Sequence, residues 1–198
     1  MGLNIYDHLS KNNESKIIYA GAGTSARIGV QDGAELFPTF GWPRERIAFL
    51  IAGNKKALFE SVENAEDNVS SGLNRLDISN KDVVIGIAAS GNTPDTCKVI
   101  EKSNEIGALS VGISNNNDSE LLRISKLKIF LDTGPEVLAG STRLKAGTAQ
   151  KICLNLISTL LMSKFGRIKN GHMSHMVASN KKLRLRQKKI HQLLKNRI

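Results

Sequence analysis

With 198 residues and a mass of 21.6 kDa, the chain suffices for one compact domain with a small appendage and is too short for two full catalytic domains. Its 40% apolar and 23% charged residues, with only 4 Pro, exclude collagen-like, coiled-coil and low-complexity classes. No apolar run approaches the roughly 20 residues of a membrane span, and the opening MGLNIYDHLSKNNESK lacks the apolar centre of a signal peptide, so a cytoplasmic protein without a membrane partner is expected. The net charge of +10 is unevenly placed: residues 164–198 hold 11 Lys and Arg and no acid, leaving 17 basic against 18 acidic residues elsewhere. A neutral body carries a basic tail.

In chain order, short β-branched and apolar runs at residues 16–20, 47–52, 83–88, 108–113 and 127–131 are each separated by room for a helix. Their nearly continuous apolar character predicts parallel strands covered on both faces, a three-layer α/β arrangement. Thr93-Pro94-Asp95 offers a hydroxyl N-cap, a proline at the first helical position and an early acid; that helix should run to about Glu105 and stop at Gly107. Residues 141–164 read as one long helix, apolar around most of its circumference, which needs two partners: the sheet on one side and, on the other, either a second subunit or more of the same chain. After Gly166 comes a loop with Asn170-Gly171, and from Ser179 a basic amphipathic helix with Leu183, Ile190, Leu194 and Ile198 near heptad spacing. The expected division is 1–166 for the sheet domain and 167–198 for the loop and basic helix.

Two segments share one design, KIIYAGAGTSARIG at 16–29 and DVVIGIAASGNTPD at 82–95: a strand, a turn of small and hydroxyl residues, then a helix. Backbone amides at such a turn, with the helix dipole behind them, favour an anion. The first also fits the dinucleotide pattern G-x-G-x-x-A, but that reading needs an acid closing the second strand, and Gly53-Asn54-Lys55-Lys56 stands there. With no G-x-x-x-x-G-K-[ST] either, the expected ligand is a small phosphate ester. Cys97 and Cys153 lie in apolar helical segments and read as buried thiols; His8, His172, His175 and His191 show no metal-binding spacing.

GAGTSARIG, DGAELFPTFG (32–41), ENAED (63–67), VVIGIAASGNTP, GPEVLAGSTRLKAGTAQK (134–151) and NLISTLLM together resemble the N-acetylmuramic acid 6-phosphate etherases of the SIS (sugar isomerase) fold, over about residues 16–187. The resemblance implies a five-stranded parallel sheet in flavodoxin-like order, a homodimer with the site at its interface, and a phosphorylated amino sugar as substrate. It implies metal-free and cofactor-free cleavage of the D-lactyl ether, giving N-acetylglucosamine 6-phosphate and D-lactate. In the open-chain aldehyde the C2 proton is acidified by the carbonyl, so one carboxylate can remove it while a protonated carboxyl assists departure of the C3 ether oxygen; water then adds at C3. By resemblance Glu35 protonates the ether oxygen and Glu66 is the base. Two carboxyls in one pocket would raise one pKa. The same mapping gives Ser25, Ser90, Gly91, Asn92 and Thr93 to substrate binding. It adds Thr24, which can equally cap its helix, Ser141 and Lys145 opening the long helix, and Glu136, either orienting sugar hydroxyls or serving an ordinary loop role.

Several positions depart from the family pattern. Asn92 stands where arginine is usual, Ala26 where glycine is usual, Asp-Gly-Ala-Glu replaces Asp-Ala-Ser-Glu, and Lys169-Asn170-Gly171-His172 replaces Gly-Asn-Leu-Met. Only 15 residues precede Lys16, which reads as shortening at both ends. Two other functions fit these departures: a non-catalytic phosphosugar-binding regulatory module, or a sugar phosphate isomerase. The basic helix lacks aromatic residues on its polar face, so packing against a partner subunit is favoured over specific nucleic acid binding.

Overall fold

A computed structural model describes residues 2–60, 62 and 78–195. Five parallel strands, β1 (Ile17–Gly21), β2 (Ile47–Ile51), β3 (Val83–Ala88), β4 (Leu109–Ser114) and β5 (Leu127–Phe130), form one sheet in the order β2-β1-β3-β4-β5, the flavodoxin-like order expected. Each strand lies within one or two residues of its expected span. β1 and β3 are buried at every position, whereas β5 at the edge alternates between half-buried and exposed.

Side-chain alternation along the strands divides the core in two. Ile17, Tyr19, Ile85 and Val111 face helices α1 (Gly2–Ser10), α2 (Gly23–Phe40) and α5 (Lys145–Lys164), through Ile5, Leu36, Leu154 and Met162, with Trp42 just beyond α2 in the same cluster. Ile18, Ala20 and Val84 face α3 (Pro94–Ile106) and α4 (Glu120–Ile124) through Val99, Ile100 and Leu121. The three-layer expectation is met. The early helix α1 is an addition to it: Ile5 and Leu9 are fully buried, and Arg46 donates to the Leu9 and Ser15 carbonyls while lying 4.3 Å over the Trp42 ring.

α2 sits unusually close to the sheet. A methyl group at Gly33 would stand 2.6 Å from the Phe49 ring and 2.9 Å from Tyr19, and one at Gly29 would stand 3.1 Å from Ile87. On its other side α2 meets α5 through Asp32, a buried carboxylate that accepts from the Tyr19 hydroxyl (2.9 Å), the Ser158 hydroxyl (2.9 Å) and the Asn155 amide (2.8 Å). Burial, and then the Asp32 charge, hold the Tyr19 hydroxyl well above its ordinary pKa.

The helix expected from Thr93 is present, ending where Gly107 takes a left-handed conformation. Thr93 occupies the N-cap position without making the expected side-chain cap, and Pro94 stands at the first helical position, where no intrahelical amide bond is lost. The helix expected from 141 begins at Lys145, because Ser141 is held in a preceding turn, its amide donating to the Leu138 carbonyl. Only part of α5 is covered: Leu154, Leu161 and Met162 are buried, while Ile152, Leu156 and Leu160 are 56%, 59% and 59% exposed. The Asn170-Gly171 loop is the tip of a hairpin, β6 (Ile168–Lys169) with β7 (His172–Met173), both tip residues having positive φ as such two-residue turns require. Its root joins the body, Arg167 donating to the Phe40 and Gly41 carbonyls and Val177 to that of Pro38. The basic helix α6 (Lys181–Lys195) follows, with Ile190 buried and Leu185 and Leu193 about half exposed. Cys97 is buried and Cys153 half-buried, and burial pushes both thiols up to about 11. Among the described residues no helix is long and apolar enough to cross a membrane.

Candidate functional site

Strand order reverses between β1 and β3, so the connections leaving their carboxyl ends diverge to opposite faces and open a crevice where ligands of such sheets bind. The two loops singled out in the sequence flank it. Gly21 pairs with Ile87 in register, and the chains approach so closely that a methyl at Gly21 would stand 2.9 Å from the Ile87 carbonyl oxygen. Beyond them begin α2 and α3. Neither N-cap residue, Ala22 or Thr93, makes a side-chain cap hydrogen bond, and the amino ends of both helices, with the dipole behind them, favour an anion. Ser25, 8% exposed, lies in the first turn of α2; Ser90, exposed, accepts the Asn92 amide at 3.2 Å through its hydroxyl.

A third helix end joins the first loop. α2 and α5 run side by side in the same direction, and a methyl at Gly147 would stand 3.2 Å from Thr24 Cγ2. The amides opening α5 are already occupied: Glu136 accepts Ala146 N at 2.9 Å and Lys145 N at 3.1 Å. Those bonds, the Ala146 amide foremost, hold the Glu136 carboxyl below its ordinary value. Glu136 reaches back from an exposed strap, residues 132–144, in which Val137 is 95% exposed. The structure therefore groups Thr24, Ser25, Glu136 and the exposed Lys145, with Ser141 in the strap near them in sequence.

The second loop rests on β4 and α4. Gly91 has φ of 68°, and a Cβ there would lie 2.4 Å from the hydroxyls of Ser114 and Ser119, so only glycine fits. Asn92, expected to face substrate, uses its Oδ1 to accept the Glu120 amide at 2.9 Å and so caps α4. Asn116 donates to the Ser90 carbonyl. Asn115 is a hub that composition and spacing had not revealed. Its backbone amide donates to Ala89, its side-chain amide to Leu131 O (3.1 Å) and Thr133 Oγ1 (3.4 Å), and its oxygen accepts from the buried Gln150 of α5 (2.9 Å).

The carboxylates taken as acid and base are placed differently. Glu66 lies outside the described residues. Glu35 is exposed on α2, ten residues beyond Ser25 and so about 15 Å down the helix axis from the crevice end. The guanidinium of Arg27, two residues past Ser25, donates to the carbonyls of Ala57, Leu58 and Glu60 (3.1 to 3.2 Å), fixing the turn that leads to Glu60 beside the first loop. The assembled groups can hold a phosphate on neutral donors and sugar hydroxyls on Glu136. Among the described residues no three His, Cys, Asp or Glu side chains gather as metal ligands.

A family model described as the glucokinase regulatory protein N-terminal SIS domain matches residues 3–103. The N-acetylmuramic acid 6-phosphate etherase of Pasteurella multocida (strain Pm70) is 49% identical over 178 residues, covering 88% of this chain and 59% of that protein. The protein of the same name from Deinococcus radiodurans is 45% identical over 178 residues, covering 88% and 58%. The chain thus spans about three fifths of the length of these relatives. Among solved structures, a protein of Escherichia coli CFT073 superposes with a TM-score of 0.62 at 17% identity, covering 85% of this chain and 80% of that one. The C-terminal domain of glucosamine-fructose-6-phosphate aminotransferase from Francisella tularensis does so with a TM-score of 0.59 at 18% identity, covering 94% and 44%. At these identities the superpositions establish the fold.

Proposed function

The chain belongs to the SIS-domain family of the glucokinase regulatory protein N-terminal domain, and from that premise we propose that it is a carbon–oxygen lyase of the N-acetylmuramic acid 6-phosphate etherase type. The observation that carries the phosphosugar part is the pair of uncapped helix ends, α2 with Ser25 and α3 with Ser90 and Thr93, flanking one crevice. A phosphate there gains directed neutral donors and the field of two helices. The identity of 49% to an etherase supports the chemistry.

In the proposed reaction a carboxylate, assigned to Glu66, takes the C2 proton of the open-chain sugar. The C3–oxygen bond then breaks, with Glu35 supplying a proton to the departing lactate oxygen. Water adds its hydroxyl at C3 and returns a proton at C2, so the net change is hydrolysis to N-acetylglucosamine 6-phosphate and D-lactate. Glu136 and Lys145 stand at the crevice rim to orient sugar hydroxyls or the lactyl carboxylate.

The distance of Glu35 from its own Ser25 bears on assembly. A sugar phosphate held at Ser25 is too short to meet Glu35 of the same chain about 15 Å away, so we assign the acid to the site of a second copy. The exposed stripe Ile152, Leu156 and Leu160 supports this. It borders an apolar groove of about 390 Å³ lined also by Leu131, Cys153 and Ile157. In such a homodimer the α5 helices of two copies pack against each other through this stripe. Such a homodimer also covers the remaining face of α5.

A second reading, a phosphosugar-binding module without turnover, is favoured by Asn92 being spent on capping α4. The deciding experiment follows D-lactate released from N-acetylmuramic acid 6-phosphate. Release by the wild-type chain, lost by several orders of magnitude in Glu35→Gln with sugar phosphate binding retained, is expected. Binding without release would leave the second reading.

A further inference from the structure

Gln150 is fully buried in α5, yet one of its two polar atoms has no partner. Its Nε2 donates to Asn115 Oδ1 at 2.9 Å, while its Oε1 is a buried acceptor left unbonded among the described residues. The orientation is not interchangeable. Asn115 must direct its NH₂ to Leu131 O and Thr133 Oγ1, which leaves only its oxygen toward Gln150, so Gln150 must present nitrogen. A buried amide with an orphan oxygen is less stable than a satisfied one, and an apolar residue of equal volume would pack there without that penalty. Fold stability alone does not account for glutamine at this position.

What the bond connects accounts for it. Through its backbone Asn115 holds Ala89, at the base of the loop carrying Ser90 to Thr93. Through its side chain it holds Leu131 and Thr133, the root of the strap that carries Glu136. Gln150 lies one helical turn beyond Ala146, whose amide Glu136 caps. The Gln150–Asn115 bond therefore closes a ring of contacts running from the phosphate loop through β4 to α5 and back along the strap. Resting on the proposed function, we propose that Asn115 and Gln150 are positioning residues that fix the spacing between the Ser90–Thr93 loop and the Glu136–Lys145 end of α5, and so the fit of a sugar phosphate spanning the two.

The test uses calorimetric binding of N-acetylglucosamine 6-phosphate, which requires no ether cleavage. Gln150→Met keeps the volume, removes the bond and removes the orphan oxygen. It should melt within a few degrees of wild type yet bind the sugar phosphate about tenfold more weakly. Gln150→Glu adds a reversible version, because a protonated carboxyl can donate to Asn115 Oδ1 and an ionised one cannot. Its affinity relative to wild type at the same pH should be near unity in mild acid and fall about tenfold as the buried carboxyl ionises. A packing role would give no such titration. A Gln150→Met variant binding as tightly as wild type, or a Gln150→Glu ratio constant with pH, overturns the pair. Failure of the wild-type chain itself to bind the sugar phosphate would instead overturn the proposed function.

Discussion

Glu136 accepts the backbone amide of Ala146 at 2.9 Å, so the long helix α5 is capped by a side chain nine residues before its start rather than by its own N-cap, Leu144. The capping charge depends on pH in a defined direction. Because the amides favour the ionised form, the folded pKa lies below the ordinary 4.5. The stabilisation is then complete above 4.5 and is lost as pH falls through the lower folded value. Melting temperatures of wild type and Glu136→Gln should differ near neutrality and converge in acid; a gap that persists in acid would refute the assignment.

Gly91→Ala is expected to cost about 2–4 kcal/mol, combining the strain of a positive φ with a methyl driven against Ser114 and Ser119. Chemical denaturation measures that loss. Calorimetry should show sugar phosphate binding falling as well, because relief of the clash displaces Ser90 and Thr93. A variant of native stability and affinity would show that the loop rests on something other than the two serines.

Asp32 joins the sheet to two helices, and its hydrogen bonds can be removed one at a time. Tyr19→Phe should destabilise by about 1 kcal/mol, the worth of one buried bond. Asp32→Asn should cost about 1–3 kcal/mol, since one amide cannot accept from Tyr19, Ser158 and Asn155 together. In a double-mutant cycle the two should be less than additive. Full additivity would mean that the bond between them contributes nothing.

Leu156→Asp should leave the monomer folded, because the side chain is 59% exposed. Sedimentation should nevertheless show dimerisation weakened by at least about a hundredfold, the penalty for a charge buried in an apolar interface. Mixing Ser25→Ala chains, weakened in phosphate binding, with inactive Glu35→Gln chains should at low substrate give more lactate release than the two variants separately, since one mixed site then has both intact groups. A mixture no more active than the separate variants while exchanging subunits would return Glu35 to its own chain's site.

Local chemistry made much of this legible beforehand. The five apolar runs became strands, and Gly107 ended α3 as expected, because burial on both faces and a left-handed cap are written in consecutive residues. Thr24, Ser25 and Ser90 lie at the crevice for the same reason: strand-to-helix turns are local. What escaped depends on contacts distant in the chain. α5 starts four residues later than the sequence suggests because Ser141 is held in a preceding turn and Glu136 caps the helix from outside, and Asn115 and Gln150 are 35 residues apart. Asp32 carries no local signal of its role, because its bonds to Asn155 and Ser158 bridge more than a hundred residues. The helix α1 is not legible in the sequence because nine residues give too short a window for periodicity to register.

The glycines at 29 and 33 give α2 a bare side where it crosses Tyr19 and Phe49, and this has a mechanical consequence. A helix seated that low cannot roll or slide without driving main chain into aromatic rings. A ligand that pulls on Ser25 therefore loads a stiff support, and little of its binding free energy is spent on ordering the cradle.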